Sequence, residues 1–108
     1  MGEKLLSMLG IARRAGKTAM GYDAAQSAMQ NGECRLVVLA SDLSDRTLRN
    51  ISGVAEQTNT EIVRSGFGMD ILGKAVGRKQ TGIIAINDSG FAKSIKGLCK
   101  ENSQEECI

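Results

Sequence analysis

A segment near the amino terminus combines cations, a glycine and polar side chains in a spacing that suits contact with nucleic acid. The cations follow one predicted helix, and the glycine opens the next helix, whose first turn has unpaired N–H groups and a positive dipole end. Both features favour phosphate oxygens, and polar side chains there can reach base edges. A solvated helix start beside scattered surface charges explains the same residues equally well. The candidate residues are Arg13, Arg14, Lys17, Gly21, Tyr22, Asp23 and Gln26.

Two segments approach the glycine-rich loop that binds nucleotide phosphates. Residues 68–75 have the G-x4-G-K spacing, but Ala75 lacks the hydroxyl that would hold Mg²⁺. Residues 10–18 have five residues between the glycines where the motif has four, and they follow a helix where the motif needs a strand. An enzyme that uses Lys74 on a nucleotide or phosphate is therefore the weakest of three hypotheses.

Three aspartates, Asp42, Asp45 and Asp88, follow predicted strands, where active sites of α/β proteins often lie. Helix capping explains them better, because a carboxylate before a helix accepts hydrogen bonds from unpaired N–H groups. The chain has no His, which excludes hydrolases of the Ser-His and Cys-His kinds. No other class of enzyme is excluded by the composition, and without His the cysteines are not expected to form a metal site.

The composition fits one small globular domain. The chain has 108 residues, of which 42% are apolar and 3% aromatic, so the core is aliphatic and a surface of stacked aromatic residues is excluded. Three cysteines without C-x-x-C spacing (Cys34, Cys99, Cys107) favour a reducing cytoplasm. The longest apolar stretch, residues 36–40, is too short to cross a membrane. We expect a cytoplasmic monomer.

Helical periodicity alternates with short apolar runs along the chain. The pattern predicts a first helix with Leu5 to Ala12 on a buried face, a second after an Asp23 cap and a third after residue 44. A fourth helix is expected after Gly68, with Ile71 to Val76 on it, and a last one starts at residues 87–90 and carries Phe91 to Leu98. Strands are expected at 17–20, 35–40, 61–64 and 82–86. The alternation predicts an α/β fold with helices on both faces of a sheet. The domain is expected to span 1–98, before a disordered acidic tail at 99–108 with a net charge of −2.

The chain resembles the kink-turn RNA-binding ribosomal protein family over about residues 3–96. The order and spacing of four segments carry the likeness, which is nearest to the bacterial YlxQ-like branch. They are LLSMLGIARRAGK (5–17) with Gly21, LVVLASD (36–42), LGKAVG (72–77) and IAINDSGFA (84–92). The resemblance implies a three-layer α/β/α sandwich with a mostly four-stranded mixed sheet. It also implies binding of structured RNA without catalysis or cofactor, and we expect ribosomal or another structured RNA as the partner.

The family's signature for kinked RNA is only partly present. Gly21 matches, but Asp23 stands where the family has Asn, Ala24 where it has Glu, and Ser27 where it has Lys. An ionised Asp only accepts hydrogen bonds and adds a charge near phosphates. Residues 77–82 are more polar and basic than the family's apolar loop, and there we expect Lys79 and Thr81 to flank the site.

The second hypothesis is a protein-interaction module that has kept the sandwich and lost kink-turn recognition. It is motivated by Asp23, Ala24, Ser27 and the acidic tail. Binding to RNA would favour the first hypothesis. Protein partners that persist after nuclease treatment would favour the interaction module.

Overall fold

The computed structural model describes residues 2–102. Five helices alternate with four strands along these residues, as the periodicity predicts. The elements are α1 (Glu3–Arg14), β1 (Thr18–Met20), α2 (Tyr22–Gln30), β2 (Leu36–Leu39), α3 (Asp45–Thr58), β3 (Ile62–Arg64), α4 (Met69–Ala75), β4 (Ile83–Ile86) and α5 (Ser89–Asn102).

The four strands form one mixed sheet in the order β1-β4-β2-β3. Strand β4 pairs antiparallel with both β1 and β2, and β2 pairs parallel with β3. Strands β2 and β4 are fully buried, because both lie in the interior of the sheet and have helices on both faces. The carboxyl ends of β1, β2 and β3 therefore lie at the same end of the sheet as the amino end of β4.

Two separate hydrophobic clusters cover the two faces of the sheet. One contains side chains of α1, α4 and α5, including Leu9, Leu72 and Ile95. The other contains side chains of α2 and α3, including Met29 and Ile51. Alternate residues of β2 and β4 belong to opposite clusters, as the two-residue repeat of a strand requires. The three-layer α/β/α sandwich with a four-stranded mixed sheet is confirmed.

Helix capping accounts for Asp88, one of the three aspartates that follow predicted strands. Asp88 Oδ2 accepts a hydrogen bond of 2.9 Å from the backbone N–H of Phe91 in α5. Ser44 caps α3 by accepting from the N–H of Thr47 at 3.2 Å. The expected cap of α2 by Asp23 is wrong, because the capping residue is Gly21 and its helix has no side-chain cap.

The last helix is longer than the sequence pattern indicates. Cys99 is buried against the α1 and α4 side of the sheet, and α5 continues to Asn102, past the boundary expected at residue 98. A single buried Cys after Leu98 gives little periodic signal, which is why the pattern missed this last turn. Positions 103–108 of the expected acidic tail lie outside the described residues.

Candidate nucleic-acid interface

The start of α2 is fixed to the start of β4. Gly21 has φ +96° and ψ 164°, a conformation that residues with a Cβ rarely adopt. Its N–H donates a hydrogen bond of 2.9 Å to the carbonyl of Ile83. The first turn of α2 therefore lies beside the end of the loop at residues 77–82, which we call the β4 loop. These are the two segments that the sequence resemblance assigns to RNA contact.

The β4 loop packs against α4. The N–H of Thr81 donates to the carbonyl of Met69 at 3.0 Å, and the N–H of Arg78 donates to the carbonyl of Gly73 at 2.7 Å. A Cβ atom at Gly73 would lie 2.8 Å from backbone atoms of Lys79 and Gln80, so only glycine permits this approach without a shift. Helix α4 thus acts as the support on which the loop is positioned.

The segment after β2 completes the same end of the sheet. The N–H of Ala40 donates to the carbonyl of Gly82 at 2.9 Å, which brings this segment beside the β4 loop. Asp42 Oδ1 then accepts a 2.9 Å hydrogen bond from the N–H of Met69 at the start of α4. The carboxylate of Asp42 is exposed and lies on the candidate interface, although the sequence analysis assigned it only a capping role.

The side chains at the start of α2 differ in exposure. Asp23 is exposed, whereas Tyr22 and Gln26 are half-buried, and Tyr22 packs against the α2–α3 side of the core. Lys79 in the β4 loop is exposed. Thr81 is only 6% exposed, and its hydroxyl donates to the carbonyl of Ile83 at 3.4 Å. The expected contact through the Thr81 side chain therefore does not fit its buried position, and Thr81 instead supports the loop.

Arg13 reaches the β4 loop from α1. A Cβ atom at Gly77 would lie 3.7 Å from Cζ of Arg13, so the guanidinium lies against the first residue of the loop. Lys74 and Arg78 are exposed cations on α4 and in the loop. Neither was assigned to the site from the sequence, although both belong to the basic stretch at residues 74–79.

Lys17 lies at the other end of β1 from Gly21. Its carbonyl accepts a 2.8 Å hydrogen bond from the N–H of Asn87, which follows β4. Four residue steps of strand separate Lys17 from Gly21, a distance of about 13 Å. Arg14 is exposed in the last turn of α1. The structure therefore places Gly21, Tyr22 and Asp23 beside the end of the β4 loop, which carries Lys79, and it does not bring Lys17 there.

A groove of about 840 Å³ runs between α1 and α5, on the face of the sheet opposite to α2. Within residues 2–102, no group of three or more Cys, Asp or Glu side chains is placed to hold a metal ion. No helix in that range is long and apolar enough to span a bilayer.

An α/β/α sandwich whose glycine-started second helix adjoins the loop before an interior strand is the arrangement that the sequence resemblance implies for a ribosomal-type protein. The whole described domain matches one such family: residues 3–102 fit the ribosomal protein L7Ae/L30e/S12e/Gadd45 family. The chain belongs to this family, and the resemblance seen in the sequence is confirmed.

Individual relatives agree with this assignment. RNA-binding protein YlxQ of Bacillus subtilis is 26% identical over 97 residues, covering 90% of this chain and 96% of the relative. YlxQ of Enterococcus faecium is 30% identical over 99 residues, covering 89% and 91%. The large ribosomal subunit protein eL30 of Dictyostelium discoideum is 30% identical over 98 residues, covering 89% and 87%.

A solved structure has the same fold. It is a protein of unknown function from Bacillus halodurans C, with a TM-score of 0.85 and 30% identity, and the match covers 90% of this chain and 97% of that one. Family and relatives together support an RNA-binding protein of ribosomal type.

Proposed function

We propose that the protein binds structured RNA, without catalysis, through the end of the sheet where α2 begins. The observation that carries this proposal is the 2.9 Å hydrogen bond from Gly21 N–H to the Ile83 carbonyl, which places the first turn of α2 beside the β4 loop. The N–H groups of that turn and the exposed ammonium group of Lys79 can bind phosphate oxygens on one surface. The names of the YlxQ relatives support RNA as the ligand.

Each residue has a distinct role in this proposal. Gly21 permits close approach of RNA to the helix start, and Asp23 and Gln26 face the bases beside the ring of Tyr22. Arg13 and Lys79 contact phosphates along the β4 loop, and Arg14 supplies a further exposed cation in the last turn of α1. Thr81 holds the loop through its N–H and its buried hydroxyl.

A kink-turn is the RNA element that the family resemblance favours, and it forms the finer part of the proposal. The exposed carboxylate of Asp23 only accepts hydrogen bonds, whereas the Asn of the family both donates and accepts them. Ala24 and Ser27 are exposed and uncharged where the family has Glu and Lys. If each missing contact is worth about 1–3 kcal/mol, affinity for an ordinary kink-turn falls by about a hundredfold or more. We therefore propose weak kink-turn binding by a cytoplasmic monomer, with ribosomal or related RNA as the target.

A titration of the protein against two RNAs tests this function. One RNA contains a standard kink-turn, and the other is an unkinked duplex of equal length; both are measured at two salt concentrations. Tighter binding to the kink-turn is the expected result. Equal, strongly salt-dependent binding to both RNAs would leave only a basic surface that contacts phosphates. Absence of binding to either RNA would overturn the proposed function.

A protein-interaction module is the second candidate function, and the carboxylates at this end of the sheet favour it. Asp23, Asp42 and Asp70 are all exposed around the α2 start and the α4 start, where they repel RNA phosphates. The test is to isolate complexes of the wild type and of Asp23→Lys from a cell extract, with and without nuclease. Partners that survive nuclease and are lost in Asp23→Lys would favour the interaction module over RNA binding.

A further inference from the structure

A second basic surface lies at the opposite end of the sheet, where β4 ends. The N–H of Arg35 donates to the carbonyl of Ile86 at 2.7 Å, and the carbonyl of Lys17 accepts from the N–H of Asn87 at 2.8 Å. Lys17 and Arg35 therefore flank the end of β4 on its two sides, about 10 Å apart at the usual spacing of strands. Both side chains are exposed.

A pocket of about 320 Å³ lies next to Arg35, between the sheet and α5. Its lining includes three cations and one carboxylate, together with the hydroxyl of Ser89. The carboxylate of Glu61 is already paired with Lys96 at 2.8 Å. Among the described residues, no carboxylate lies within 4 Å of the charged atoms of Arg35 or Lys93. The charge of these two side chains is thus available to an external anion.

Among residues 2–102, two further carboxylates, those of Asp88 and Glu33, lie within two residues of the pocket lining in sequence. Asp88 directs Oδ2 to the N–H of Phe91 and so serves as the cap of α5. Glu33 is exposed two residues before Arg35. Neither lines the pocket, whose side chains keep a net charge of +2 from Arg35, Lys93 and the Lys96–Glu61 pair.

The chemistry of the pocket fits phosphate oxygens better than a protein partner. Arg presents a planar fork of N–H donors that matches phosphate, and Lys adds a point charge. Protein interfaces are centred on large apolar anchors. The large hydrophobic side chains exposed within residues 2–102 are Ile11 and Ile71, and neither lines this pocket.

We propose that Arg35 and Lys93, together with Lys17, bind the phosphodiester backbone of the RNA that contacts the start of α2. We call Lys17, Arg35 and Lys93 the β4-end surface. Five residue steps from Gly82 to Asn87 separate it from the α2 start, a distance of about 17 Å. An RNA that continues beyond the element bound at α2 reaches both surfaces. This inference rests on the proposed function. The cations of the β4-end surface attract RNA phosphates and so offset the repulsion from Asp23 and Asp42 at the first surface.

The test compares salt dependence of RNA binding for two matched double variants. The probe is a kink-turn RNA with extended duplex arms, measured by fluorescence anisotropy over a range of salt concentrations. Arg35→Gln/Lys93→Gln removes two charges from the β4-end surface. Arg49→Gln/Lys4→Gln removes two exposed charges from α3 and α1. All four side chains are exposed, so folding is retained, and thermal unfolding verifies it.

The expected result is confined to the first double variant. Its slope of log K against log salt becomes shallower by about 1.4 to 1.8, and its affinity at low salt falls severalfold or more. The same variant on an RNA trimmed to the kink-turn alone shows a smaller loss. The control double variant keeps the wild-type slope on both RNAs.

Three other results would overturn the proposal in distinguishable ways. Wild-type protein that binds no RNA overturns the proposed function and this inference together. Wild-type binding that Arg35→Gln/Lys93→Gln leaves unchanged overturns only the β4-end surface. Loss of binding to poly-L-glutamate in that variant, with RNA affinity retained, would assign the surface to an acidic protein.

Discussion

The N–H of Gly21 donates a 2.9 Å hydrogen bond to the carbonyl of Ile83, and this bond joins the start of α2 to the first residue of β4. The two residues are far apart in sequence, yet they bring together the segments through which we propose that RNA binds. Because Gly21 adopts φ +96°, the backbone turns sharply from β1 into α2 and leaves the helix N–H groups facing outward. The geometry of the site thus depends on backbone contacts, whereas its specificity depends on the side chains that follow.

Replacing Asp23 with Asn should strengthen binding to a kink-turn RNA. The substitution Asp23→Asn restores a hydrogen-bond donor and removes a negative charge at an exposed position. We expect the affinity for a kink-turn to rise about tenfold, with little change for an unkinked duplex. The measurement is a binding titration against both RNAs.

Glu56→Gln provides the matched control for Asp23→Asn, because it removes one exposed carboxylate from α3, away from the α2 start. An equal gain in affinity for the two variants would mean that net charge, and not a contact made by residue 23, is responsible.

Replacing Lys79 with Gln should weaken binding to all RNAs. Lys79 is exposed in the β4 loop, beside backbone that packs on Gly73. Loss of one phosphate contact should make the slope of log K against log salt shallower by about 0.7 to 0.9. Lys4→Gln, an exposed change in the first turn of α1, should keep the wild-type slope. A Lys79→Gln slope that equals the control's would remove Lys79 from the interface.

Gly73→Ala should move the β4 loop. The added Cβ would lie 2.8 Å from backbone atoms of Lys79 and Gln80, which must shift. We expect a loss of about 1–3 kcal/mol in the free energy of unfolding, measured by urea denaturation, and weaker RNA binding.

Gly53→Ala is the control for that substitution. A Cβ atom at Gly53 meets nothing within 4 Å, and the residue lies inside α3. Its expected effect is a gain of about 0.5–1 kcal/mol with unchanged RNA binding. Equal stability changes in the two variants would contradict the close approach of α4 to the β4 loop.

The buried thiol of Cys99 should make stability decrease at high pH. Burial raises the pKa of Cys99 from 9.0 to about 11, and burial also raises the pKa of Cys34. Since the unfolded thiol ionises first, the contribution of Cys99 is fully present below pH 9 and is lost as the pH rises to about 11. Urea denaturation at pH values from 8 to 11 measures this decline.

A Cys99→Ala variant isolates the contribution of that thiol. All other ionisable groups are the same in both proteins, so only the difference between wild type and variant reports on Cys99. The variant should lose less stability than the wild type between pH 9 and 11. Parallel pH profiles would show that Cys99 keeps an ordinary pKa in the folded protein.

The sequence analysis predicted the α/β/α sandwich and the place of each strand because the apolar pattern changes period along the chain. The apolar run over β2 indicates a strand with neighbours on both faces, and the structure confirms it. Local signals were weaker at helix ends. The cap of α2 was assigned to Asp23 because Asp is a common cap, whereas Gly21 occupies that position.

The members of the candidate site were harder to predict than the fold. Gly21 and Asp23 lie together because they are two residues apart in the sequence. Lys17 was grouped with them because it lies four residues away, but an extended strand carries it to the other end of the sheet. Thr81 was expected to face RNA, but its side chain is buried in the folded protein.

The sequence by itself determined the order of helices and strands, the aliphatic core and the family to which the chain belongs. These properties follow from local periodicity and from residue types at fixed spacing, which are present in the chain before it folds. Only the tertiary structure decided which cations share a surface. Strand pairing and the packing of α4 bring the β4 loop, which carries Lys79, beside Gly21. Strand pairing also brings Arg35 and Lys17 to the end of β4, and Arg35 shares a pocket with Lys93. Those contacts join residues distant in sequence, so no local pattern records them.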